Sequence, residues 1–375
     1  MKIVGIDFTS RPSKSKPLTC LNCEFDNEVL RAGELIEWPS FNGFDTFLRS
    51  TASWVAGVDF PFGQSRKFIE NIGWPKKWRQ YVEHVSSMDR REFQAALDEY
   101  KDPRPAGDKE HLRLTDVVAG SISPQKQYGV PVSLMFFEGA PKLLQSGGTV
   151  PGLLSGDPNR IIVEAYPGVL ARRLIGRRSY KQDNPKKQTA DRAKARRDLL
   201  AKILNGECHE EFGFSVEAPH DLCDDPTGDR LDALLCAMQA AWAWKHRENN
   251  FGVPPNVDPL EGWIADPVVC AEMNKLCSEA ERSVSIDVEE TRSNQKSINA
   301  LSVGQIRLAC QHVLEMKVAG VTENLSIRTL ELFVDVYAKV SVGGSATPHS
   351  ADQVKLWSKA ALAAKKENPN GPLGS

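Results

Sequence analysis

No apolar stretch in the 375 residues approaches the roughly 20 that a membrane-spanning helix needs, so a transmembrane role is set aside. A large excess of either sign of charge is also missing. The formal net charge is −2, so any affinity for a polyanion has to come from local clustering of cations. The eight cysteines lack the spacing of a disulfide framework, and no signal-peptide pattern opens the chain, which together predict a reducing, cytoplasmic setting. Only Cys20 and Cys23 stand at metal-ligand spacing, and no second Cys/His pair at zinc-ribbon distance joins them. Both fall in PLTCLNCEF, which reads as a strand, where side chains three residues apart point to opposite faces. The chain has no internal repeat, and its first loop, TSRPSKSK, has no glycine with which to grip a phosphate.

What is present is a soluble composition, 41% hydrophobic and 26% charged, on a chain long enough for two domains. KIVGIDF is apolar and β-branched and ends in an acid. Strand patterns follow near Leu18–Phe25 and Val29–Trp38, then a helix near Asp45–Ser53 and a second buried strand, WVAGVDF. A three-strand meander, a helix and a return strand predict a mixed sheet with the first strand central. From Pro61 to about Ser155, prolines, Trp74, Trp78 and the run SLMFFEGAPKLL predict a helical insertion over one sheet edge. RIIVEAYPG reads as another strand and DRLDALLCAMQAAWAWKHR as a long helix, with NNFGVPPNVDPLEGWI closing the domain. The expected architecture is therefore an α/β domain over residues 1–266 and a small all-α domain over 267–370. Capping boxes at Ser302/Gln305 and Ser350/Gln353 mark helices in the second domain. Residues 371–375, GPLGS, look like a vector-derived tail.

Carboxylates stand where chemistry can use them. Asp7 ends the first strand, Asp59 ends WVAGVDF and Glu164 ends RIIVE, while Asp229 and Asp232 lie three apart on one face of the long helix. Acids at the carboxyl edge of an α/β sheet sit where ligands bind in such folds. Like charges converging there repel one another unless a cation sits among them. Hard oxygen ligands without Cys or His select Mg²⁺ or Mn²⁺. Each acid also has a structural reading. Asp7 and Asp59 can cap strand ends, Asp229 can be an N-cap and Asp232 a dipole-favoured acid, and Glu164 can pair with Arg172 or Arg173. The near-identical endings GIDF and GVDF, together with a paired-acid helix face, favour a shared site.

GIDFTS at Gly5–Ser10, GVDFPFG at Gly57–Gly63, RLTD at Arg113–Asp116, EAYPG at Glu164–Gly168 and DRLDALLCA at Asp229–Ala237 occur in the order seen in the DUF 429 family, which the chain resembles from about Met1 to Trp263. The resemblance implies an RNase H-like fold and a relation to Holliday-junction resolvases. In those enzymes a first-strand Asp, a Glu on a later strand and two Asp three apart on the last helix bind metal. Asp7, Asp229 and Asp232 match that pattern. The middle acid is Asp59 by order or Glu164 by residue type, and Asp116 is either a further site residue or a helix N-cap.

Between Arg172 and Arg197 the chain holds eleven Lys/Arg against two Asp. Arg172, Arg173, Arg177, Arg178, Lys181, Lys186 and Lys187 therefore form a candidate phosphate-contacting flank, with Arg11 and Lys14 of the first loop as a second basic edge. Trp74 and Trp78 are candidates for stacking on bases, or else core residues. The reading is a nuclease-like protein that hydrolyses phosphodiester bonds in nucleic acid by a two-metal carboxylate mechanism. One alternative is an inactive RNase H-like module that binds nucleic acid or protein, with the helical C-terminal domain recruiting a protein partner or a second copy. The other is an actin/hexokinase-like phosphotransferase, which the glycine-free first loop and the lack of a duplicated domain oppose.

Overall fold

A computed structural model of the chain describes residues 1–255, 257–276 and 278. The helical domain expected at 267–370 lies almost wholly outside the described residues, as do both capping boxes and the tail at 371–375.

The two acid-terminated strands lie side by side. β1 (Lys2–Asp7), β2 (Leu18–Asp26) and β3 (Val29–Trp38) form the antiparallel meander. After α1 (Phe41–Leu48), β4 (Trp54–Val58) returns parallel to β1. Helix α1 starts before the expected Asp45, because Phe44 and Leu48 are the positions it buries. The insertion follows as α2 (Arg66–Ile72), α3 (Trp78–Ser86), α4 (Arg90–Lys101), α5 (Leu114–Ala119) and α6 (Val132–Ser146). Then come β5 (Gly148–Thr149), β6 (Asp157–Glu164), α7 (Pro167–Ile175), α8 (Ala190–Leu204), α9 (His209–Phe212), β7 (Ser215–Glu217) and α10 (Asp229–Lys245). The sheet order is β5-β6-β4-β1-β2-β3-β7, mixed and with β1 central as expected.

Strand alternation divides the interior into two cores. Val4, Ile6, Ala56, Val58 and Ile162 face one core with the insertion, and Ile3, Val55, Ile161 and Val163 face the other with α8 and α10. The insertion, together with α1, thus packs over one face of the sheet, where the sequence suggested only an edge. Its aromatics set that arrangement: Phe60, Phe62, Phe68, Phe93 and Phe136 are fully buried, each stabilising by roughly 1.5–3 kcal/mol. Trp54, Trp74 and Trp78 are core residues too, and Trp78 donates to the Phe62 carbonyl at 2.7 Å, so stacking of Trp74 or Trp78 on bases is ruled out. Cys20 and Cys23 fall in opposite cores, as strand alternation requires. The segment expected to close the domain returns to the sheet instead, with Leu260, Trp263 and Ile264 buried and Ile264 bridged to Glu164.

Helix α10 is buried almost all round, as a helix without a polar face must be. It lies directly on β1 and β4, and two glycines make that possible. A Cβ on Gly5 would stand 1.8 Å from the Ala233 carbonyl oxygen, and one on Gly57 would stand 2.2 Å from that of Cys236. The glycine two residues ahead of each strand-end acid therefore lets the helix come down onto the sheet beside those acids.

Candidate metal centre

The parallel register pairs Ile6 with Val58, so Asp7 and Asp59 emerge next to one another at the carboxyl edge, and the Asp59 amide donates to the Ile6 carbonyl at 3.0 Å. Alternation puts both on the α10 face, in phase with Gly5 and Gly57. From above, the first turn of α10 brings Asp229 and Asp232, with Gly228 and not Asp229 as the N-cap. Carboxylate oxygens of Asp7, Asp59 and Asp232 lie within 4.8 Å of one another. Asp7 and Asp232 are buried, and Asp59 is partly exposed. Asp229, also buried, lies outside this trio but acts on it electrostatically.

The trio is poorly satisfied by its own protein. Tyr180 donates its hydroxyl to Asp232 Oδ1 at 2.6 Å, but among the described residues no hydrogen bond reaches Asp232 Oδ2. Neither the Asp7 nor the Asp59 carboxylate accepts one there. The cation present is the Lys181 ammonium, which lies against Asp232 Oδ2 and whose charge is also felt by Asp7, Asp59 and Asp229. Burial raises the Asp7 carboxyl well above its ordinary range, and Asp229 and Asp59 add to the rise against the pull of Lys181. Burial pushes Asp59 up to about 6, opposed by Lys181 and assisted by Asp229. Asp229 is raised for the same primary reason.

Glu164 does not join them. On β6 it is in register with Val58, one residue out of phase with Asp59, so the pleat turns it to the insertion face. There Arg113, buried at 1% exposure, forks onto both its oxygens at 2.5 and 2.8 Å, and the Phe62 amide adds a third bond at 2.8 Å. The partner is thus Arg113 from α5's N-cap, where the sequence suggested Arg172 or Arg173. Asp116 stands at the third position of α5 and is not its N-cap; it accepts from the Arg113 backbone and guanidinium and from Ser121 at 2.7–2.9 Å. Sequence reasoning missed Arg113, although an arginine opening a helix three residues before an acid is a readable pairing signal.

The basic segment separates into residues bound within the protein and residues that carry no ion pair. Arg172 donates to the Ala119 and Gly120 carbonyls, Arg173 pairs with Asp266 and Glu211, and Arg178 pairs with Asp198. These three are therefore not free phosphate contacts. Arg196, at 5% exposure, binds the carbonyls of Cys223, Tyr180 and Pro226, tying the Tyr180 segment to the loop that enters α10. Arg177, Lys186, Lys187, Arg11 and Lys14 are exposed and carry no ion pair among the described residues. Lys181 is drawn into the acids.

No helix among the described residues is long and apolar enough to cross a membrane. The chain matches no curated protein and no solved structure. Over residues 5–258, which include all of these acids and Arg113, it matches the family described as proteins of unknown function, DUF429, and it belongs to that family.

Proposed function

We propose that the protein hydrolyses phosphodiester bonds in nucleic acid with Mg²⁺ or Mn²⁺ held by Asp7, Asp59, Asp229 and Asp232 on an RNase H-like domain. The observation that carries this reading is that carboxylate oxygens of Asp7, Asp59 and Asp232, drawn from two strands and a helix, lie within 4.8 Å of one another, while neither Asp7 nor Asp59 accepts a hydrogen bond among the described residues. Burying several carboxylates unpaired is costly, and a divalent ion among them removes the cost. An all-oxygen donor set with one partly exposed member suits Mg²⁺ or Mn²⁺, which keep waters as further ligands. Bound there, such ions supply water activation and charge neutralisation at the phosphate. Asp7 and Asp59 provide fixed strand-end ligands, and Asp232 is oriented by Tyr180. The exposed Arg177, Lys186, Lys187, Arg11 and Lys14 are the groups left to meet backbone phosphates, with salt-dependent and sequence-independent affinity. Glu164 has no part in this scheme beyond holding the fold.

Asp7→Asn should abolish Mg²⁺-dependent cleavage of nucleic acid while the circular dichroism spectrum stays that of the wild type. Undiminished cutting by that variant would reject the assignment. A second reading, a module that binds without cutting, is favoured by one observation: Lys181 already lends the acids a positive charge. Metal binding with no turnover on DNA or RNA would support it.

A further inference from the structure

We propose that Lys181 is a tethered counter-cation that holds the divalent-ion position of the Asp7–Asp59–Asp232 trio and is displaced when an ion binds. The inference rests on the metal reading above. Lys181 comes from the segment between α7 and α8, reaching the acids from outside the sheet. Its side chain is 39% exposed while that of Asp232, which it touches, is wholly buried. The ammonium therefore sits at the boundary between solvent and the acids, along the approach an entering ion would use.

The backbone around it is fixed on both sides. Arg196 holds the Tyr180 carbonyl at 3.0 Å, the Tyr180 hydroxyl is bound to Asp232, and the Gln182 amide donates to the Pro226 carbonyl at 3.3 Å. Gly228, at φ +81°, leaves the bed in which the lysine stem lies: a Cβ there would come within 2.9 Å of Lys181 Cγ and 3.3 Å of the Tyr180 ring. Only the side chain has to move for the position to be vacated. A lysine stem keeps several rotatable bonds and its ammonium is a compact point charge, so that movement is a change of rotamer.

Charge decides which cation prevails. One ammonium offers a single positive charge and three donors to a group of four acids, whereas a divalent ion brings twice the charge to the same position. The ammonium limits repulsion while no ion is bound and competes with one that arrives.

The test is Mn²⁺ binding by calorimetry to the full chain, for wild type and Lys181→Met, which keeps the apolar stem and removes the charge. The metal-free variant should melt below the wild type, and its Mn²⁺ affinity should be about tenfold tighter, the ratio that 1.4 kcal/mol of relieved competition gives. Lys181→Arg, still cationic, should stay near the wild-type affinity. If the wild type binds Mn²⁺ and Lys181→Met binds it equally or more weakly, the counter-cation role is overturned and the metal site stands. If neither protein binds Mn²⁺, the metal reading falls and takes this inference with it.

Discussion

On the insertion side of the sheet every carboxylate oxygen of Asp116 and Glu164 accepts a hydrogen bond, from Arg113, Ser121 or the Phe62 amide. On the α10 side, Asp7 and Asp59 accept none among the described residues, and Asp232 accepts one beside its ion pair with Lys181. Both clusters are largely buried, both include acids at the carboxyl ends of parallel strands of one sheet, and both belong to the matched family segment. The difference between them separates a lock from the proposed metal site. A buried acid whose oxygens are all used has nothing left to offer a ligand, whereas carboxylate oxygens without hydrogen-bond donors stay open to a cation.

Removing the lock should have the largest effect. Arg113→Met leaves Glu164 and Asp116 buried without their partner, so a loss of about 3–5 kcal/mol is expected, read as a lower denaturant midpoint. A cost under about 1 kcal/mol would show that the two clusters do not differ as described. Next, Asp7→Asn removes a proposed metal ligand, and Mn²⁺ affinity should fall on the order of a hundredfold, about 2.7 kcal/mol. The thermal stabilisation by saturating Mn²⁺ that is expected of the wild type should then be absent.

A smaller effect concerns pH. Asp59 has its carboxyl raised from an ordinary 3.8 to about 6, so between those values the metal-free folded protein holds more protons than the unfolded chain. Its contribution to stability is full below the lower value and is lost as pH rises through the upper one. At pH 7.5 the metal-free Asp59→Asn variant should therefore be more stable than the wild type by about 1–2 kcal/mol, and the gap should close towards pH 4. A gap that widens on acidification would contradict the unsatisfied state of the site. The smallest change is expected from Glu164→Gln: Mn²⁺ affinity of the folded protein should stay within about twofold of wild type, since the residue faces the other core.

Much of this arrangement was legible in the residues. β-branched runs ending in GIDF and GVDF predicted two neighbouring strands with acids at one rim, and the D-R-L-D spacing put Asp229 and Asp232 on one helix face. These are local periodicities, and the fold obeys them. Glu164 was misplaced because its face depends on strand register: one residue out of phase with Asp59, it points into the opposite core. The basic run misled for a related reason. Composition counts charges but cannot tell Arg196, buried on backbone carbonyls, from Lys186, exposed to solvent. Lys181 lay hidden in that run, since its contact with Asp232 joins elements 51 residues apart (232 − 181). The glycines of GIDF and GVDF were visible throughout, and their meaning depended on knowing which helix covers them.

The most direct measurement is anomalous scattering at the manganese edge from crystals of the chain soaked in Mn²⁺. A manganese peak bounded by Asp7, Asp59 and Asp232 is expected, with the Lys181 ammonium moved away from Asp232. A saturated crystal with no manganese between those three carboxylates would contradict the proposed metal site.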